Sequence, residues 1–489
     1  KSIMAIQTIN FGNFEPDLPD IFTQGTSMAL NVIPHQNCYL PFKSISTDTD
    51  ALTAFCRGAV AYSDGDNNTE VFAGDATKLY RLAGTTFSSV GGSTYSSGDE
   101  SYWEFAKFGQ QVIATNFDNN IQIRSFGASG TFSDLGGSPP KAKTLCISRG
   151  FLVLGNVNDG THRPNRIQWS GLENITSWGS NPDTQSDFQD LQGDGGKVQM
   201  VMGGDTVIIF QERAIWEMEY IGSPLVWRLT NTIVNMGTPA ARSVVRYGDS
   251  CFFYSQDGFM RYDLGGRITR IGDKKVDLFF AAREQTTRRF RMTSEVDVPN
   301  AKVVWSYCTG EGDPTELIIY DIKTDSWSFV QIDHQIIYFG RSQGFTLEGL
   351  DSINSSLDAL PASLDADLYK GGQLALFVFD TNNKSGTFNG SALTARIETG
   401  EVATEDMELL FCDRVRPLVT GATATNTVFL ATRDSLNSDF TYTSGQTVNS
   451  IGEHNFRKTA RYMRFRVDIA GGFDEAIGVR ANLDSKGRR

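Results

Sequence analysis

A chain of 489 residues is too long for one ordinary hydrophobic core. Its 48 glycines, 33 phenylalanines, 15 tyrosines and 7 tryptophans are typical of many short strands joined by tight turns. The net charge of −13 argues against a protein that clamps nucleic acid, because such a protein needs clustered Lys and Arg to displace counterions from phosphate. No apolar run approaches the roughly 20 residues of a membrane helix, and the beginning of the chain does not resemble a secretory signal, so we expect a soluble protein without membrane insertion.

The first 50 residues predict an extended N-terminal segment rather than a repeat unit. The stretch EPDLPDIF is interrupted by prolines, and the residue before a proline is biased toward extended conformations. We expect residues 1–50 to pack against the C-terminal domain rather than to begin the repeats.

A hairpin pattern recurs through residues 51–344. Apolar strand-like runs flank polar turns in EVFAGDATKLYRL, QVIATNFDNNIQIRSF, FLVLGNVNDGTHRPNRIQW, TVIIFQERAIWEMEY, CFFYSQDGFMRYDL and ELIIYDIKTDSWSFV. The turns centre near Asp75, Asn119, Asp159, Glu212, Asp257 and Thr324. Most intervals are close to the roughly 40–50 residues of a repeated β unit, which predicts the blades of a β-propeller. The long last interval leaves room for an insertion or a missed hairpin, and two β-sandwiches in tandem are the alternative layout.

Tryptophans recur at similar places in these units. In RPNRIQWSGLENITSW, Trp169 ends a strand and Trp178 follows a turn, and Trp227, Trp327 and Trp103 occupy comparable positions. Such rings could line a sugar-binding cleft. Their recurrence favours packing between neighbouring sheets, where a large ring buries most area.

The pattern changes after the last hairpin. Residues 345–370 predict a connector, because leucines and an isoleucine at helical spacing fit one face of a helix that ends at Pro361, although a compact loop is the alternative. Residues 371–489 return to strands, as in RYMRFRVDIAG, where apolar and charged residues alternate. The predicted fold class is therefore all-β, with a β-propeller followed by a C-terminal β-sandwich-like domain.

The chemistry-bearing residues form no recognisable catalytic, cofactor-binding or metal-binding motif, so we predict no catalytic, cofactor or metal residues. The four histidines, His35, His162, His334 and His454, are scattered and lie in no metal-ligand pattern. No GxSxG nucleophile motif occurs, and GDGGKV lacks the spacing of a phosphate-binding loop. The six cysteines form no CxxC pair, which predicts reduced, buried thiols.

Two other partial motifs also have ordinary interpretations. SDGDNNTE (63–70) begins like a calcium loop but lacks the required glycine and glutamate, so a polar hairpin tip is favoured. The basic stretches TTRRFRM, FRKTARYMRFR and KGRR could contact DNA or an acidic neighbouring subunit, or could form solvated faces.

A glycan-binding or sialidase-like, glycan-hydrolysing propeller is the alternative function. SGDESYW (97–103) and SQDGFMRY (255–262) come close to the Ser-x-Asp-x-Gly-x-x-Trp turn of sialidase-type propellers, but neither completes it. A glycosidase also needs two carboxylates across the sugar, and the sequence does not single out such a pair.

The order of the motifs is more specific than any one of them. The series comprises KAKTLCISRGFLVLGN, RPNRIQWSGLENITSW, GDGGKVQMVMGGDTVIIFQERAIWEMEYIGSPLVWRL, NMGTPAARSVVRYGDSCFFYSQDGFMRYD, RIGDKKVDLFF, LIIYDIKTDSWS, TLEGLDSINSSLDALPASLD and RKTARYMRFRVDI. From about Leu18 to the C-terminus, the chain resembles the tail nozzle family (packaged-DNA stabilisation or tail-hub proteins) of short-tailed bacteriophages.

This resemblance implies a non-enzymatic, propeller-containing structural protein that needs no cofactor. It implies a homo-oligomer, a hexameric ring below the portal and its adaptor (head-completion) protein, which assembles in the host cytoplasm and resides in the virion tail. The ring would extend the channel for passing double-stranded DNA without sequence-specific binding, help retain the packaged genome and support attachment of tail fibre or tailspike proteins.

Overall fold

The computed structural model describes residues 5–19, 21, 25–64, 68–127, 129–342, 374–404 and 408–487. These residues confirm the predicted fold class, since the chain is all-β and combines a β-propeller with a β-sandwich-like domain. Among the described residues, no helix has the length and apolar character needed to cross a membrane.

Five strands precede the first complete propeller sheet. They are β1 (Ala5–Asn10), β2 (Thr26–Leu30), β3 (Val32–His35), β4 (Cys38–Pro41) and β5 (Ser46–Ala51). The first four belong to the sheets of the second domain or join it to the propeller, so most of the N-terminal segment is built into the C-terminal domain.

Six sets of four consecutive antiparallel strands follow in chain order, of which the first five are separate sheets and the sixth is part of a larger sheet. Sheet one contains β6 (Ala59–Ser63), β7 (Thr69–Gly74), β8 (Leu79–Ala83) and β9 (Thr86–Ser89), and sheet two contains β10 (Glu104–Phe108), β11 (Gln111–Thr115), β12 (Gln122–Ser125) and β13 (Ser133–Asp134). Sheet three contains β14 (Lys141–Ser148), β15 (Phe151–Asn158), β16 (His162–Trp169) and β17 (Asp187–Asp190), and sheet four contains β18 (Val198–Met202), β19 (Thr206–Gln211), β20 (Ala214–Gly222) and β21 (Val226–Val234). Sheet five contains β22 (Val245–Tyr247), β23 (Ser250–Ser255), β24 (Gly258–Asp263) and β25 (Arg267–Arg270), and sheet six contains β26 (Thr293–Asp297), β27 (Lys302–Tyr307), β28 (Glu316–Asp321) and β29 (Ser326–Gln331).

A seventh sheet closes the propeller with strands from both ends of this region. It contains β30 (Ile336–Arg341), β31 (Leu374–Phe379) and β32 (Lys384–Thr387), and β5 pairs with β32 through Lys384↔Ala51 and Thr387↔Ser46. The boundaries predicted at 51–344 and 371–489 are therefore wrong at both ends, because β5, β31 and β32 belong to the propeller. The predicted connector 345–370 lies outside the described residues.

The hairpin spacing assigned one turn to the wrong pair of strands. Asp75, Asn119, Asp159, Glu212 and Asp257 lie between the second and third strands of their sheets, whereas Thr324 lies between the third and fourth strands of sheet six. The equivalent turn of sheet six follows β27. The long interval contains helix α1 (Asp277–Ala281) and a 3-10 segment (Thr286–Arg291).

The second domain consists of two packed sheets that include strands from both ends of the chain. Its remaining strands are β33 (Ala395–Thr399), β34 (Leu410–Thr420), β35 (Thr425–Arg433), β36 (Thr441–Tyr442), β37 (Gln446–Thr447), β38 (His454–Ala460), β39 (Tyr462–Ala470) and β40 (Glu475–Ser485). One sheet has the order β3-β4-β40-β34-β38 with β1 also on β40, and the other contains β2-β33-β39-β35 with β36 and β37 on β35.

The two domains share a sheet and a hydrophobic core. Leu30 of β2 pairs in parallel with Phe329 of β29, so sheet six continues into the second domain as one 10-stranded sheet. One buried cluster includes Trp305 and Trp327 of the propeller together with Phe465 of β39. The domains are therefore joined by packed side chains as well as by the chain itself.

Candidate functional site

A polar depression lies on one face of the propeller, on the side where the first strand of each sheet begins. Because neighbouring strands are antiparallel, the turn between the second and third strands of each sheet lies on this same side. We call the depression the cup and define it by six of its lining residues, Tyr102, Glu104, Asn116, Lys143, Lys197 and Arg242. The cup encloses about 330 Å³. Glu104 and Arg242 also line the central channel of about 450 Å³, so the cup opens into that channel.

The loop that carries Tyr102 is anchored by Trp103. The Trp103 ring is buried, and its Nε1 donates a hydrogen bond of 2.8 Å to the Asp75 carbonyl oxygen. Two glycines permit this packing, because a Cβ at Gly58 would lie 2.2 Å from the Trp103 carbonyl oxygen and a Cβ at Gly74 would lie 2.3 Å from its Cδ1. The stretch SGDESYW thus forms one wall of the cup.

Arg242 reaches the cup from a short 3-10 segment (Ala241–Ser243) before sheet five. Trp305 Nε1 donates to the Ser243 carbonyl oxygen at 2.8 Å, and Ser294 Oγ donates to the Arg242 carbonyl oxygen at 3.0 Å, which fixes the backbone. The guanidinium carbon lies 3.5 Å from the centre of the Tyr102 ring, a cation–π contact. Arg242 Nε is buried and has no hydrogen-bond partner within the described part of the chain.

Carboxyl groups from two of the innermost strands face the same channel. Glu104 lies in β10 and Glu295 in β26. Burial raises the pKa of Glu295 to about 8, although a backbone hydrogen bond from Phe339 and the charge of Arg242 oppose the shift. Burial likewise raises the pKa of Glu104, against the nearby charge of Arg242. At neutral pH, Glu295 therefore retains its proton and can donate as well as accept a hydrogen bond.

Asn116 contributes a second buried donor without a partner. Its side chain is 1% exposed, and its Oδ1 accepts a hydrogen bond of 3.0 Å from the Asn119 backbone N–H. Its Nδ2 has no partner among the described residues. The next residue, Phe117, has a φ of 67°, a conformation that is strained for a bulky side chain. The Phe117 ring meets the His162 ring edge-on at 5.1 Å.

The four histidines, for which the sequence predicts no catalytic or metal-binding role, lie in separate environments. His162 lies beside the cup, and its Nε2 lies 2.7 Å from Asn156 Oδ1. His334 is fully buried, with Ser306 Oγ at 2.6 Å from its Nε2, and burial lowers its pKa to about 4. His35 and His454 lie in the second domain. No group of His, Cys, Asp and Glu in the described ranges is arranged to hold a metal.

Several arginines of the basic stretches form ion pairs within the chain. In TTRRFRM, Arg288, Arg289 and Arg291 pair with Glu311, Glu284 and Asp313 respectively. In FRKTARYMRFR, Arg464 and Arg466 pair with Glu398 and Asp468. The last two residues of KGRR lie outside the described residues. These arginines are engaged within the chain, whereas Arg457 and Lys458 of the second stretch are exposed.

Trp169 and Trp178 lie in packing positions. Trp169 is 3% exposed, belongs to the core between sheets three and four, and donates from Nε1 to the Gln185 carbonyl oxygen at 2.9 Å. Trp178 packs on the core between sheets two and three. In the sequence, SGDESYW is recognisable only as an incomplete sialidase-type turn. Nothing in the sequence indicates that it lies close to Asn116, Lys143 or Arg242.

Comparison with known proteins supplies no family. No protein-family model matches the sequence, and no curated protein matches it. Among solved structures, the computationally designed Ika8 protein matches with a TM-score of 0.39 at 9% identity, over 78% of this chain and 99% of that one. The extracellular domain of BT4673 from B. thetaiotaomicron matches with a TM-score of 0.40 at 9% identity, over 82% of this chain and 47% of that one.

Proposed function

We propose that the chain is a non-enzymatic structural component of a short-tailed phage tail. Several copies would form a ring below the portal and its adaptor protein, extend the DNA channel, help retain the packaged genome and support fibre or tailspike attachment. The order of the sequence motifs motivates this proposal. The observation that carries it is the core shared by the two domains, because a subunit of a tail must transmit force without a flexible joint.

The proposed path of DNA lies along the axis of the ring and outside the individual propeller. The propeller channel encloses about 450 Å³ and is lined by Arg242, Glu104 and Glu295, a space suited to a small molecule and not to a duplex. The net charge of −13 agrees with a wall beside which DNA slides, since every Lys or Arg contact to phosphate adds a salt-dependent attraction. Such passage needs no sequence-specific contact.

Electron microscopy of the purified chain, alone and mixed with the adaptor ring of the same virion, tests this proposal. We expect a hollow ring with six-fold symmetry, a homohexamer, at least when the adaptor is present. Sedimentation velocity over a range of concentrations provides the control for nonspecific association. A chain that stays monomeric under all these conditions would contradict the proposal.

A glycan-binding or glycan-hydrolysing propeller is the second candidate, and the cup favours binding. The cup combines aromatic rings with charged and amide groups, as carbohydrate sites do. A screen with chromogenic glycosides tests hydrolysis. Turnover that disappears in Glu104→Gln would make the protein an enzyme and overturn the non-enzymatic assignment.

A further inference from the structure

We propose that the cup binds a small sugar acid, with the carboxylate of the ligand held by Arg242 and Asn116. The inference names a ligand class for the second candidate function above and does not depend on ring formation, because all six defining residues of the cup belong to one chain. A monomer and a ring would both contain the complete cup.

The two unsatisfied donors identify the kind of atom that the ligand must supply. Arg242 Nε and Asn116 Nδ2 are both buried without a partner in the described part of the structure. Buried donors are nearly always paired, so an orphan donor of a residue that lines a cavity is available to pair with an acceptor on a ligand. Nε and a terminal N–H of a guanidinium together form one edge that matches the two oxygens of a carboxylate.

The charges around the cup favour an anion. Lys143, Lys197 and Arg242 have no ion pair within 4 Å among the described residues, whereas arginines elsewhere, such as Arg166 and Arg283, are paired. The carboxyl groups that line the cup are Glu100 and Glu104, and Glu212 lies next to the lining, where it accepts a hydrogen bond of 3.2 Å from the Lys197 backbone N–H. Three cationic side chains therefore line one cavity in a chain with a net charge of −13.

The aromatic and amide lining of the cup favours an organic anion over inorganic phosphate. The remaining surface suits a hydroxylated ring, since Tyr102, Phe117 and Phe290 present aromatic groups and Gln199 an amide. The volume of about 330 Å³ is at the lower end of known small-molecule sites. A sugar acid meets all these requirements.

Isothermal titration calorimetry of the full chain with four probes tests the ligand class. The probes are glucuronate, N-acetylneuraminate, glucose and inorganic phosphate. We expect at least one of the two sugar acids to bind about tenfold or more tightly than both glucose and phosphate, which is about 1.4 kcal/mol. Absence of binding by both acids, equal binding of glucose, or tighter binding of phosphate would each overturn the proposal.

Three substitutions locate the binding. Asn116→Asp keeps the acceptor that pairs with Asn119 but replaces the orphan donor by a negative charge, and we expect at least a tenfold loss of affinity. Lys197→Gln removes an exposed cation, so we expect the variant to fold like the wild type and to lose about threefold in affinity. The matched control is Lys323→Gln, which removes the same charge from the exposed β28–β29 turn on the opposite propeller face.

These variants distinguish binding in the cup from nonspecific attraction to the charge of the protein and from an effect of ring assembly. Equal losses in Lys197→Gln and Lys323→Gln, or unchanged binding in both Asn116→Asp and Lys197→Gln, would overturn the proposal. Circular dichroism checks the fold of each variant. Electron microscopy of the same variants with the adaptor reports ring formation independently, so loss of sugar-acid binding and failure of the proposed ring are distinguishable.

Discussion

Replacing Glu295 by Gln should stabilise the protein at neutral pH. The carboxyl group of Glu295 faces the central channel, and burial raises its pKa from 4.5 to about 8. Between these pH values the folded chain retains a proton that the unfolded chain releases, so stability falls as pH rises, by up to about 1.4 kcal/mol per pH unit. The favourable contribution is complete below pH 4.5 and is lost progressively up to about pH 8. At pH 7 the accumulated loss is about 3 kcal/mol.

Glu295→Gln keeps the shape of the side chain and removes the titration. We therefore expect the variant to be more stable than the wild type by about 3 kcal/mol at pH 7 and to lose this advantage near pH 4.5. Urea unfolding of both proteins at several pH values between 4.5 and 8.5 provides the measurement. Glu219→Gln, which changes an exposed residue in a surface ion pair with Arg228, is the control. A stability difference between wild type and Glu295→Gln that does not vary with pH would refute this reasoning.

Three further predictions concern the packing of the fold. Glu70→Ala should destabilise the protein by about 3–5 kcal/mol, as measured by urea unfolding, because it leaves the buried Arg124 guanidinium without its carboxylate. Gly74→Ala should cost about 1–3 kcal/mol since its Cβ would meet Trp103, whereas Gly310→Ala, with nothing within 4 Å, should be nearly neutral; equal effects would argue against this packing. Differential scanning calorimetry should show one transition for both domains because they share a core, and two well-separated transitions would contradict that coupling.

The fold class and most of the propeller can be predicted from the amino-acid sequence alone. Alternating apolar residues and polar turns recur at a period that favours repeated short sheets, and five turns from Asp75 to Asp257 occupy equivalent places in sheets one to five. Local pattern was sufficient there because each of these sheets is built from consecutive strands. The packing of Trp169 also followed from its repeated position, since a large ring at a strand end is most stable between neighbouring sheets.

The pairing of the chain ends and the position of the cup depend on tertiary contacts that the sequence pattern does not reveal. β5 pairs with β32, and β2 pairs with β33 and β29, across separations of hundreds of residues, and hydrogen bonds between strands leave no periodic signal in either sequence. The cup is likewise formed by residues that are distant in sequence. Asn116 and Arg242 are ordinary polar residues in two separate turns, and closure of the propeller brings both to one cavity, where burial leaves a donor of each without a partner.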